Sequence, residues 1–71
     1  MNIYTALSKL KKLSIEELKH IIFLYDVEIE NYKLCIVNYS EYKMKRFGIP
    51  YLNILKSRQQ TVKDELENRT I

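Results

Sequence analysis

Apolar side chains recur every three or four residues through the middle of the chain, from Ile15 to Tyr39. Spacings that alternate between three and four are typical of a helix that packs along another helix. No glycine or proline lies between Ser14 and Phe47. The pattern therefore predicts one long helix over about residues 15–47. Its seam consists of Ile15, Leu18, Ile22, Tyr25, Ile29, Tyr32, Ile36 and Tyr39.

The start of this helix is marked by Ser14 and Glu17, which match a capping box. In such a box each side chain bonds the backbone N–H of the other residue. Leu13 and Leu18 lie on either side of the cap, where a hydrophobic staple is expected. These signals together predict a well-fixed helix start.

The end of the helix is marked by Gly48 and Pro50. Glycine can take the left-handed conformation that closes many helices, and proline opposes continuation of a helix. We therefore expect the chain to reverse at residues 47–50.

Two shorter helices complete the expected fold. Residues 2–12 have an apolar face suited to a short N-terminal helix, and about residues 50–68 form a third, C-terminal helix. Gln59 interrupts the apolar stripe of the third helix, so looser packing is expected there. The prediction is a single all-α domain over residues 1–71, built as a helical hairpin and assembled into an oligomeric bundle.

A strand is the competing interpretation for the middle of the long helix. Residues 27–30 alternate apolar and acidic side chains, and Val and Ile favour strands. A β-hairpin would then turn at Glu30 and Asn31. However, this pair lacks the glycine that tight hairpin turns prefer.

A second apolar stripe follows another face of the long helix. A helix that is apolar on more than one face is normally buried on more than one face. We interpret one face as covered by the chain's own short helices and another as an interface, with a compact monomer as the alternative. The second stripe is Phe23, Val27, Leu34, Val37 and Met44. The predicted interface with a second copy or another protein is Ile22, Tyr25, Ile29, Tyr32, Ile36 and Tyr39.

Charge adds a second candidate surface. The chain has a formal net charge of +3, and no acidic residue lies between Glu41 and Asp64. If the chain reverses at Gly48, the cations of this segment gather at one end of the hairpin. They could then contact phosphates, as in a dimeric nucleic-acid-binding regulator, or an acidic protein surface. The cations assigned to this patch are Lys43, Lys45, Arg46, Lys56 and Arg58.

Catalytic chemistry is not encoded in any motif of the sequence. His20 and Cys35 are 15 residues apart on the predicted helix, which separates them by roughly 22 Å. A single glycine cannot build a phosphate-binding loop. We therefore predict no enzymatic activity, no catalytic residue, no cofactor and no metal site. Cys35 is expected to be a buried thiol, and His20 a surface residue near Glu16.

Length and composition favour a small globular interaction protein. The chain has 71 residues, of which 46% are hydrophobic and 30% charged. No apolar run approaches a membrane span, no signal sequence is evident, and a single cysteine favours a reducing, cytoplasmic setting. Abundant Ile, Lys, Asn and Tyr are typical of AT-rich bacterial genomes and their phages or other mobile elements. The leading hypothesis is a self-associating regulator, adaptor or inhibitor of a partner protein.

Overall fold

The computed structural model describes residues 7–70, and this part of the chain is helical with no strand. A short 3-10 helix is followed by one long helix, a turn, and a second long helical segment that contains a π-helical turn. The elements are the 3-10 helix Leu7–Lys12, α1 (Ile15–Cys35), α2 (Glu41–Lys43), the π-helical turn Met44–Gly48 and α3 (Ile49–Thr70).

The predicted start of α1 is confirmed. The Ser14 hydroxyl oxygen accepts the backbone N–H of Glu17, and a Glu17 carboxylate oxygen accepts the backbone N–H of Ser14, both at 3.1 Å. Leu13 and Leu18 are both buried beside the cap. The cap therefore satisfies two backbone donors and anchors the first turn in the core.

The predicted end of this helix is wrong. α1 stops at Cys35 rather than at residue 47, and the chain reverses over residues 36–40. The backbone N–H of Tyr39 donates to the Ile36 carbonyl at 3.0 Å, which closes the turn. The Ser40 hydroxyl then accepts the backbone N–H of Lys43 at 3.2 Å and caps the next helix.

A reversal at this position gives two arms of similar length, so each arm can bury its apolar stripe against the other. A helix extending to residue 47 would be longer than its partner helix and would leave part of that stripe without a neighbour. Val37 and Asn38 are weak helix formers, and Ser40 is a favoured N-cap. Local preference and tertiary packing therefore agree on a break here.

The predicted turn at Gly48 and Pro50 is also wrong, because the helix continues through both residues. The backbone N–H of Ile49 donates to the Met44 carbonyl, five residues back. This wider turn accommodates Pro50, which has no N–H to donate in the regular pattern. Gly48 does not have a positive φ. A Cβ on Gly48 would lie 2.8 Å from Met44 Sδ and 3.5 Å from Tyr39 Cδ2, so glycine here permits close packing rather than a turn.

The core lies between α1 and α3. Ile21, Tyr25 and Ile29 of α1 are buried with Leu55 and Val62 of α3. The molecule measures 42 × 20 × 16 Å, and its radius of gyration of 13.8 Å exceeds the value of about 11 Å for a compact domain of this length. The strand alternative is wrong, since residues 27–30 lie inside α1.

The predicted N-terminal helix over residues 2–12 falls partly outside the described residues. Leu7–Lys12 form a 3-10 helix rather than an α-helix, with non-helical backbone angles at Lys9. The segment lies against α3, and Leu10 packs against the core.

Candidate interaction surfaces

The predicted interface residues lie between the two arms of the hairpin. Tyr25, Ile29 and Ile36 are buried, while Ile22, Tyr32 and Tyr39 are half-buried. Three of the six predicted interface residues are therefore buried within a single chain, and the other three keep partial exposure. Self-association through this seam stays a prediction.

The tyrosines of the seam link the arms at the end nearest the turn. The Tyr32 hydroxyl donates to the Phe47 carbonyl at 3.2 Å, beside the π-helical turn. The rings of Tyr32 and Tyr51 are tilted by 60°, with centroids 4.8 Å apart. Loss of hydration raises the pKa values of Tyr25 and Tyr32 above their ordinary value, so both hydroxyls stay protonated near neutral pH.

Gln59 joins the arms in the middle of the hairpin. Its side-chain amide donates to the Ile22 carbonyl at 3.0 Å and to Asp26 Oδ1 at 2.6 Å. Gln59 is buried, and the expected loosening of the packing at this position is wrong. A buried amide that finds both partners fixes the register of α3 on α1.

A polar clasp of Lys11, Glu65 and Arg69 holds the 3-10 helix against α3. The carboxylate of Glu65 accepts from Lys11 Nζ at 3.0 Å and from Arg69 Nε at 3.1 Å, and the second contact joins residues four apart on α3. Arg69 also donates to the carbonyls of Leu10 and Leu13. The hydrogen bond from Lys11, reinforced by Arg69, holds the pKa of Glu65 below its ordinary value.

The face of α1 that points away from α3 carries an outer stripe, defined as Phe23, Val27 and Leu34. These three side chains are 60%, 42% and 73% exposed. Val37 and Met44 do not extend the stripe along the same helix, because α1 ends before them. An exposed apolar row of this kind typically marks an interface.

The predicted basic patch does not form as a single cluster. Because the chain reverses at residues 36–40, the segment from Lys43 to Arg58 runs along one helical arm instead of folding back. Lys56 and Arg58 lie two residues apart in α3, and such residues do not share a helix face. The cations near the turn are Lys43, Lys45 and Arg46.

The hairpin tip, defined as residues 36–49, combines these three cations with exposed apolar side chains. Lys43 Nζ lies 4.2 Å from the centroid of the Tyr39 ring, and Lys45 pairs with Glu41 at 3.5 Å. Arg46 lies over the Phe47 ring at 5.8 Å. The exposed apolar residues of the tip are Val37 (69%), Tyr42 (70%), Phe47 (54%) and Ile49 (46%).

The two residues considered for chemistry lie apart on the surface. Cys35 is exposed, so the expectation of a buried thiol is wrong. His20 is also exposed and, with Glu16, Glu17 and Ile21, lines a shallow cavity of about 320 Å³. Between residues 7 and 70, no three His, Cys, Asp or Glu side chains are grouped so as to hold a metal ion.

No family model, curated protein sequence or solved structure matches this chain. In the described part of the chain, neither long helix has a stretch apolar enough to cross a membrane.

Proposed function

We propose that this protein is a small non-enzymatic binding module that acts as a regulator, adaptor or inhibitor by docking its hairpin tip on an acidic surface of a partner protein. One observation carries this proposal. Four large apolar side chains of the tip are exposed beside three cations and a single anion, Glu41. Aromatic residues and arginine are the residue types that dominate protein interfaces.

The construction of the tip supports a preorganised binding surface. Ser40 caps α2, the Tyr32 hydroxyl holds the Phe47 carbonyl, and Gly48 lets the turn approach the π-helical turn closely. A surface fixed in this way loses little conformational entropy on binding. The excess of cations at the tip would attract an acidic partner and increase the association rate.

A reducing, cytoplasmic setting is part of the proposal. It is supported by Cys35, because an exposed unpaired thiol is more compatible with that environment than with an oxidising one. An origin in a phage or another mobile element remains a hypothesis from composition alone.

The proposal is tested by capturing partners from an extract of the source cells with a chemical cross-linker, followed by direct binding measurements on the purified partner. The bait chains are wild type, the double variant Tyr42→Ala/Phe47→Ala, and the control Ile54→Ala. Ile54 is an exposed apolar residue of α3 outside the tip. We expect the double variant to weaken binding roughly tenfold or more while the control binds normally.

The same chains are tested with a random-sequence DNA duplex. Salt-sensitive binding to the duplex, with no protein partner that depends on the tip, would favour the nucleic-acid alternative. A protein partner that binds the double variant as tightly as wild type would contradict docking through the tip.

A further inference from the structure

The outer stripe of α1 is apolar along a single line. Its residues are spaced by four and then seven positions, so Phe23, Val27 and Leu34 lie above one another on one helix face. The buried residues of α1 lie on the opposite face. Within residues 7–70, no element covers the stripe, since each of its side chains is more than two-fifths exposed.

We propose that the outer stripe binds the outer stripe of a second copy of this chain, with the two α1 helices antiparallel. The proposal does not depend on the function of the tip. It is consistent with the size of the chain, because small domains with one limited core are commonly stabilised by oligomerisation. It is also consistent with an elongated hairpin only 16 Å thick in its narrowest direction.

The register of the apolar residues favours a second copy. A twofold axis that passes between Glu28 and Ile29 places Phe23 opposite the partner's Leu34. The same axis places Val27 opposite the partner's Glu30, and the converse contacts follow by symmetry. Reversing one stripe on the other therefore pairs its two largest side chains, Phe23 and Leu34, at both ends of the contact, and leaves Val27 beside a charged residue near its centre.

The charges beside the stripe favour the antiparallel direction. Asp26 and Lys33 lie on the same edge of the stripe. The midpoint between these two residues lies one residue, or about 1.5 Å along the helix, from the proposed axis. An antiparallel pair brings Asp26 near the partner's Lys33. Lys33 already lies 3.3 Å from Glu30 of its own chain, so it would bridge carboxylates of both chains. A parallel twofold pair would instead put Asp26 and Lys33 of the two chains on opposite sides of the contact, so this charge pairing would be lost.

The first experiment measures mass in solution by sedimentation equilibrium over a range of concentrations. We expect wild type to reach twice its monomer mass of 8.6 kDa. Leu34→Asp should raise the dissociation constant about tenfold or more, because it places a charge in the apolar contact. Ile54→Asp, at an exposed apolar site on α3, should leave the dissociation constant unchanged. Circular dichroism confirms that each variant remains helical.

The second experiment tests direction with disulfide exchange in a Cys35→Ser background. An equal mixture of Phe23→Cys and Leu34→Cys chains should give the mixed disulfide in excess over either homodimer. Preferential formation of Phe23→Cys homodimers would show a parallel pair and overturn the proposed geometry. A wild-type monomer at every concentration, or a dimer unaffected by Leu34→Asp, would overturn the proposal itself. Neither result would bear on binding through the tip.

Discussion

The inner and outer faces of α1 carry the same kinds of side chain in opposite environments. Leu18 on the inner face is fully buried, whereas Leu34 on the outer face is 73% exposed. The sequence spacing is regular on both faces, so hydrophobicity does not distinguish core from surface. The position of the turn distinguishes the core face from the surface face, because it decides which face α3 covers. The two leucines therefore form a matched pair within one helix.

The largest effect is expected from truncating the inner leucine. Leu18→Ala should lower the free energy of unfolding by about 2–5 kcal/mol, because it removes buried methyl groups and leaves a cavity. Leu34→Ala should change it by less than about 0.5 kcal/mol at concentrations where the chain is monomeric. Urea denaturation followed by circular dichroism measures both values. Equal costs for the two variants would mean that the faces are not distinguished as the structure describes.

The second-largest effect on stability is expected at the polar clasp of Lys11, Glu65 and Arg69, at the end of the hairpin opposite the turn. The pKa of Glu65 is lowered in the folded state, mainly by the hydrogen bond from Lys11. The stabilisation is therefore complete above the ordinary pKa of 4.5 and is lost as the pH falls through the lower folded value. Glu65→Gln should destabilise the protein at neutral pH, and its difference from wild type should shrink in acid.

Thermal unfolding at several pH values measures this difference. Glu67→Gln, at an exposed position of the same helix, serves as the control and should have little effect at any pH. If the difference between Glu65→Gln and wild type stayed constant from neutral pH to about pH 2, ionic pairing of Glu65 would not be its cause.

The smallest effect is expected at Gly48, on the arm that covers the inner face. Gly48→Ala gains helix propensity of about 1 kcal/mol. The new Cβ would press on Met44 Sδ, which lies near the end of a flexible side chain and can move. We expect a net change within about 1 kcal/mol, measured by urea denaturation. A loss well beyond this value would instead indicate the left-handed glycine predicted from the sequence.

The sequence alone predicts correctly those features that depend on contacts within one or two helical turns. The capping box of Ser14 and Glu17 fixes the start of α1 through contacts within one turn, and it was found correctly. Helical periodicity also identified an all-α chain. The pairing of Glu65 with Arg69 is local in the same sense, since the two residues are four apart on one helix, whereas the contact of Glu65 with Lys11 depends on tertiary folding.

The sequence predicts the turn at Gly48 and Pro50, whereas the structure has it just before Ser40. A π-helical turn accommodates Pro50. The packing of two arms of similar length therefore overrides the tendency of Gly48 and Pro50 to end a helix. Ser40 followed by Glu41 was a usable signal, since serine is a favoured N-cap and an acidic residue suits the first turn. The different position of the turn also explains why Lys56 and Arg58 lie apart from the other cations of the predicted basic patch.

The Ser40-capped turn also orders the contacts between the arms by their separation along the chain. The bond from Tyr32 to Phe47 spans 15 residues, that from Gln59 to Ile22 spans 37, and that from Arg69 to Leu10 spans 59. Each contact closes a longer loop than the one before it, at a higher entropic cost. Folding is therefore expected to begin at the turn and to proceed like a zipper, with the clasp closing last.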